Sequence, residues 1–131
     1  MPYLLDTNIC IYLLKGRSER LVQKITSHSV SDLAISMVSV AELTYGVIHS
    51  TKVEENRLTL MKFLSPFQLL EFGLQDALVF GTIENQLRQK GKPIDPFDTL
   101  IAAQAIARTM TLVTNDKHFS HVPSLNIENW M

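Results

Sequence analysis

"PYLLDTNICIYLLKG", residues 2–16, is the stretch on which the fold turns. Its first four residues are an apolar run that reads as a short strand, Pro2–Leu5, ending on Asp6. Thr7–Leu14 then carries helical spacing and stops at Gly16. A strand that runs through a single acid into a helix is the opening of a β–α unit.

Outward from that unit the alternation continues. The pattern predicts a helix over Glu19–Thr26, a strand over Leu33–Ser36, helices over Val40–His49 and Val53–Leu64, and a strand over Leu69–Phe72. Gln75–Lys90 places Val79, Phe80, Ile83 and Leu87 at helical spacing and ends at Gly91. Pro96–Arg108 is alanine-rich and apolar nearly all round, which marks a buried helix. Strands are predicted over Thr111–Thr114 and Leu125–Glu128. Short apolar strands alternating with helices imply an α/β fold: a single-domain α/β/α sandwich with a mostly parallel central sheet. With 131 residues and no linker or repeat, one domain spanning 1–131 is expected.

Composition narrows the function class. Hydrophobic residues make up 46% and charged residues 19%, ordinary for a globular protein. The apolar run Leu4–Leu14 is broken by Asp6, Thr7 and Asn8, so no membrane span is expected. The N-terminus has neither a basic region nor a signal-type apolar core, and Cys10 has no internal partner, so a cytoplasmic location is the expectation. A net charge of −1 does not advertise nucleic-acid binding. Two local basic groups, Lys15/Arg17/Arg20/Lys24 and Arg88/Lys90/Lys92, read on charge pattern as solvated helix ends. No G-x-G-x-x-G occurs, so a nucleotide cofactor is not expected.

In parallel sheets, ligands bind beyond the carboxyl ends of the strands. Four acids fall at such places. Asp6 follows the first strand, Glu42 lies at the start of the helix after the second, Asp98 opens the buried helix, and Asp116 follows the strand Thr111–Thr114. Each has a purely structural reading. Asp6 fits an N-cap, Ser39-Val40-Ala41-Glu42 fits a capping box, and Asp116 can cap the turn Asn115–His118. Asp95 fits an N-cap with Pro96 in the first helical position, leaving Asp98 in the first turn. Together the four acids mean more. Carboxylates gathered at one edge repel each other unless a cation neutralises them. Oxygen-only ligands suit Mg²⁺, with Mn²⁺ able to substitute, and the cysteine and histidine spacing does not suit zinc. Such a carboxylate cage belongs with phosphoryl-transfer chemistry.

The chain resembles the PIN-domain family, specifically the VapC toxins of type II toxin–antitoxin systems. The resemblance rests on "LLDTNICIYLLKG" at 4–16, "SMVSVAELTYG" at 36–46, "GKPIDPFDTLIAAQA" at 91–105, "LVTNDKHF" at 112–119 and "ENW" at 128–130. It implies that Asp6, Glu42, Asp98 and Asp116 are the acidic quartet of an endoribonuclease. By the same resemblance Asp6 and Asp98 bind Mg²⁺ directly, and Glu42 and Asp116 act through water or a second ion. Thr7, Asn8 and Asn115 match supporting polar neighbours. The resemblance further implies an RNA substrate, tRNA and particularly initiator tRNA, a homodimer, and inhibition by a VapB-type antitoxin. One departure stands out. Relatives with the "PFD" motif commonly carry glycine at position 95, where this chain has Asp95. Asp95 is therefore either a better N-cap or a fifth acid of the cage. Two other readings are a non-catalytic PIN-like binding module, which the complete quartet argues against, and a phosphoacceptor receiver domain. The latter needs paired acids after the first strand, whereas Asp6 stands without an acidic neighbour.

Overall fold

A computed structural model describes residues 2–131. Its strands are β1 (Tyr3–Leu5), β2 (Leu33–Ser36), β3 (Gln68–Leu70), β4 (Thr111–Val113) and β5 (Ile127–Glu128). Its helices are α1 (Thr7–Lys15), α2 (Glu19–Thr26), α3 (Met37–Ile48), α4 (Val53–Leu64), α5 (Leu74–Gln89) and α6 (Pro96–Ala107). The sheet order is β3-β2-β1-β4-β5, and every neighbouring pair is parallel, so the sheet is wholly rather than mostly parallel.

Side-chain alternation along the strands divides the core in two. Leu4, Ala34 and Leu112 face α5 and α6, meeting Ile83, Leu87, Ile101 and Ala105. Leu5, Leu33, Ile35 and Val113 face the other way, meeting Ile9, Leu21, Leu43 and Leu60 from α1 to α4. Both sheet faces are covered, which is why these strands are continuous apolar runs. Each fully buried leucine or isoleucine contributes about 1.5–3 kcal/mol.

Connectivity fixes where a ligand can sit. From β1 the chain steps outward to β2 and β3, then returns across β1 through α5 and α6 to reach β4 and β5. The direction reverses between β1 and β4, and the crevice beyond their carboxyl ends is the topological switch point.

Helix α3 begins at Met37, three residues before the predicted start. Ser36, at the end of β2, caps it by accepting the N–H of Val38 at 3.0 Å. Ser39 therefore lies inside the helix, and the predicted capping box between Ser39 and Glu42 does not form. Strand β3 ends at Leu70 rather than Phe72 because the next segment turns to meet Gln104 and Arg108 of α6 and its end. β5 is shorter than predicted. Helix α5 stops where predicted because Gly91 adopts φ +70°, letting the N–H of Lys92 reach back to the Leu87 carbonyl at 3.0 Å.

Candidate active site

The acids come from different elements and meet at the switch point. Asp6 leaves the end of β1 and is 2% exposed. One carboxylate oxygen accepts the N–H of Thr7 at 2.8 Å, capping α1; the other accepts the Thr114 hydroxyl at 2.8 Å. Thr114 directly follows β4, so this bond crosses the gap between β1 and β4. The same hydroxyl oxygen accepts the N–H of Asp116 at 3.0 Å. Asp116 in turn caps a 3-10 turn over Lys117–His121, accepting the N–H of His118 and bonding its ring Nδ1, each at 2.9 Å.

A second relay joins β1 to α3. Thr7 Oγ1 lies 2.8 Å from both Ser39 Oγ and Glu42 Oε1. A hydroxyl has one proton, so Thr7 donates to the Glu42 carboxylate and accepts from Ser39. Glu42 thus points toward Asp6, one helical turn inside α3. Nothing in the sequence singles out Thr114 and Ser39. The only cue was that each is a hydroxyl residue flanking a strand end.

Asp95 and Asp98 part ways. The carboxylate of Asp95 accepts the N–H of Phe97 at 2.8 Å and sits exposed as the N-cap of α6, with Pro96 in the first turn. Asp98 is half-buried, and among the described residues its carboxylate accepts no hydrogen bond. Asn8 is exposed and, like Asn115, makes no side-chain hydrogen bond to the acids among the described residues. Of the three supporting residues, Thr7 alone is tied to the acids.

Electrostatics show how close these groups are. The Asp6 carboxyl is held at about 6: burial raises it, the Thr114 and Thr7 bonds hold it back, and Asp116 and Glu42 add a smaller push upward. Asp98 is pushed to about 7, first by burial and then by Asp6, Asp95, Glu42 and Asp116. Glu42 is raised by burial and by Asp95. Asp6 and Asp98 therefore each feel several other acids across the crevice. Among the described residues, no three ligating side chains converge closely enough to enclose an ion as they stand. The donor chemistry nevertheless fits a hard divalent cation: all ligating atoms are oxygens, two carboxyls are held well above their ordinary range, and the Asp98 carboxylate is unpartnered among the described residues. Cys10 is buried and its thiol is pushed far up by burial, so it offers no thiolate nucleophile.

The sequence profile described as PIN domain matches residues 3–125. Ribonuclease VapC2 of Rickettsia felis is 39% identical, the alignment covering 99% of this chain and 98% of that protein. The tRNA(fMet)-specific endonuclease VapC of Salmonella typhimurium is 33% identical, covering 99% of this chain and 98% of that one. Among solved structures, that of VapBC2 from Rickettsia felis bound to a DNA fragment from their promoter superposes with a TM-score of 0.94. It is 38% identical and covers all of both chains.

Proposed function

This chain belongs to the PIN-domain family, and on that premise we propose that it is the toxin of a toxin–antitoxin pair, an endoribonuclease whose acids work at the β1–β4 crevice. It is a metal-dependent enzyme acting on RNA phosphodiesters, with Mg²⁺ as the ion. The observation that carries the site is the elevation of Asp6 and Asp98, each by burial first and then by surrounding carboxylates. Structural salt bridges lower carboxyl pKa values; buried acids raised further by one another are the pattern that a bound cation relieves.

Asp6 and Asp98 would hold the ion, with Glu42 and Asp116 completing the set through water or a second ion. When bound, the ion supplies charge stabilisation at the phosphate and lowers the pKa of water. The chain's own residues do the positioning. Thr114 fixes Asp6 from β4, and Thr7, backed by Ser39, fixes Glu42. Asp95 caps α6 and so sets the helix end that carries Asp98.

Initiator tRNA is the favoured substrate, since the Salmonella relative is named a tRNA(fMet)-specific endonuclease. A VapB-type antitoxin is the partner, as in the VapBC2 complex, and the chain works as a homodimer. A groove of about 320 Å³ between α1 and α3, lined by Ile11, Leu14, Leu43 and Val47, ends at Glu42. An antitoxin segment lying there would bring an arginine or lysine to Asp6, Glu42 and Asp98, where charge pairing blocks the crevice. Purified protein should cut RNA with Mg²⁺ or Mn²⁺ and stop with EDTA; full activity in EDTA would sink the mechanism.

A further inference from the structure

On the side of Glu42 away from α1 lies another cleft, of about 380 Å³, formed by Ala41, Glu42, Tyr45 and Phe97. That is the size of a small-ligand site. Its two rings are conspicuously exposed, Tyr45 at 65% and Phe97 at 50%. Each ring travels with one of the site acids. Tyr45 lies three residues beyond Glu42, hence on the same face of α3. Phe97 directly precedes Asp98 in α6. Tyr45 is also held in place, with His49 edge-on at 4.5 Å between ring centroids.

We propose that this cleft takes one unpaired base of the RNA, stacked against Tyr45 and Phe97 beside the phosphate that is cut. This rests on the ribonuclease reading above and makes the two aromatics positioning residues that set which nucleotide flanks the cut. The charge of the wall selects the occupant. Glu42 in the wall, with Asp95 and Asp98 at the Phe97 end, repels phosphates and acidic side chains. The part of RNA that can enter is therefore the uncharged heterocycle. Exposed aromatic faces are what single-stranded RNA readers offer to splayed bases. Because Glu42 belongs to both the cleft and the acid cluster, a base held there sets its phosphate beside the acids, where a bound cation would offset their repulsion.

The test uses the full chain freed of antitoxin and RNA stem–loops carrying a fluorescent purine analogue at successive loop positions, mixed in EDTA. Stacking should quench the analogue at one loop position, adjacent to the bond that Mg²⁺ later allows the enzyme to cut. Tyr45→Ala and Phe97→Ala should lose the quenching and cut with kcat/KM lower by about 5- to 150-fold, the worth of one stacked base. The loss should fall mainly on KM. Phe97→Tyr, which restores a ring, should restore the quenching. Unchanged melting curves for these exposed positions show that the fold is kept. Alanine variants that cut with wild-type kcat/KM overturn the proposal. So does the same result accompanied by lost antitoxin inhibition, which assigns the cleft to the antitoxin. Wild-type protein that cuts no RNA with Mg²⁺ fails the ribonuclease reading itself, and this inference falls with it.

Discussion

Asp6 and Asp76 are equally buried, each 2% exposed, and the chain treats them in opposite ways. Asp76, in the first turn of α5, accepts the N–H of Gly73 at 2.8 Å and pairs with Arg108 at 3.1 Å. Arg108 also donates to the Glu71 carbonyl at 2.7 Å, and Gln104 donates to the same carbonyl at 3.0 Å. That acid is a clasp holding the segment after β3 to α6. Among the described residues Asp6 has two neutral donors and no cation, and the charged neighbours that shift it are carboxylates. A buried acid with its own arginine is finished structure. A buried acid among other acids is waiting for charge from outside the chain.

Catalysis gives the sharpest break between the two. Asp6→Asn and Asp98→Asn should each cut cleavage by more than about 100-fold, beyond the roughly 10–100-fold typical of losing a partner outside the ligand set. Arg108→Met, which disarms the clasp, should leave the rate per folded molecule near wild type. Equal losses in a cleavage assay at saturating Mg²⁺ would erase the distinction.

Stability should reverse the order. Arg108→Met leaves Asp76 buried without its cation and should cost about 1–3 kcal/mol by urea titration. That lies below the value for a fully buried pair because the arginine is partly exposed.

The metal-free protein should also respond to pH in a defined direction. Asp6 and Asp98 have folded pKa values, about 6 and about 7, above the ordinary value of 3.8. The folded state thus holds protons that the unfolded state releases between pH 3.8 and about 7. The stabilisation is full below that window and is lost as pH rises through it. Asp98→Asn should flatten the loss and raise the metal-free Tm at pH 7 by about 4 °C, the shift expected from roughly 1 kcal/mol. It should also shrink the stabilisation by Mg²⁺. A lower metal-free Tm would mean that Asp98 serves the helix rather than the ion.

The smallest effect separates Asp95 from Asp98. Asp95→Asn keeps a capping oxygen and should barely alter stability, while Asp95→Ala should cost about 0.5–2 kcal/mol. Both should cut RNA measurably. With the charge at 95 gone, the acid limb of the rate profile should move to lower pH, since Asp95 raises both Glu42 and Asp98. A folded Asp95→Asn as inactive as Asp98→Asn would make Asp95 a fifth member of the cage.

The opening strand–acid–helix unit was legible because its parts are local: Leu4 and Leu5 must be buried, Asp6 can cap, and Gly16 can take φ +61°. The same holds for Asp95, whose capping role follows from Pro96 beside it. Asp6 and Asp116 both cap and face the other acids, so a capping role does not remove them from the proposed site. For Glu42 the capping reading failed, because Ser36 rather than Ser39 begins the helix. The roles of Thr114 and Ser39 could not be read, since a hydroxyl near a strand end has no signature until its partner arrives from 108 or 32 residues away.

The sequence by itself determined the alternation of strands and helices, the burial of α6, and the placing of Asp6, Asp98 and Asp116 at strand or helix ends, while Glu42 lies inside α3. Those depend on period, capping and hydrophobicity, which act over a few residues. Tertiary structure alone decided that the direction of winding reverses between β1 and β4, and so that Asp6, Glu42, Asp98 and Asp116 share one crevice. It alone supplied the elevated carboxyls, since burial and charge repulsion depend on distances that exist only after residues far apart in the chain have packed. The contrast between Asp6 and Asp76 is of the same kind: their sequence neighbourhoods give no warning that Asp76 meets an arginine while the charged groups that shift Asp6 are acids.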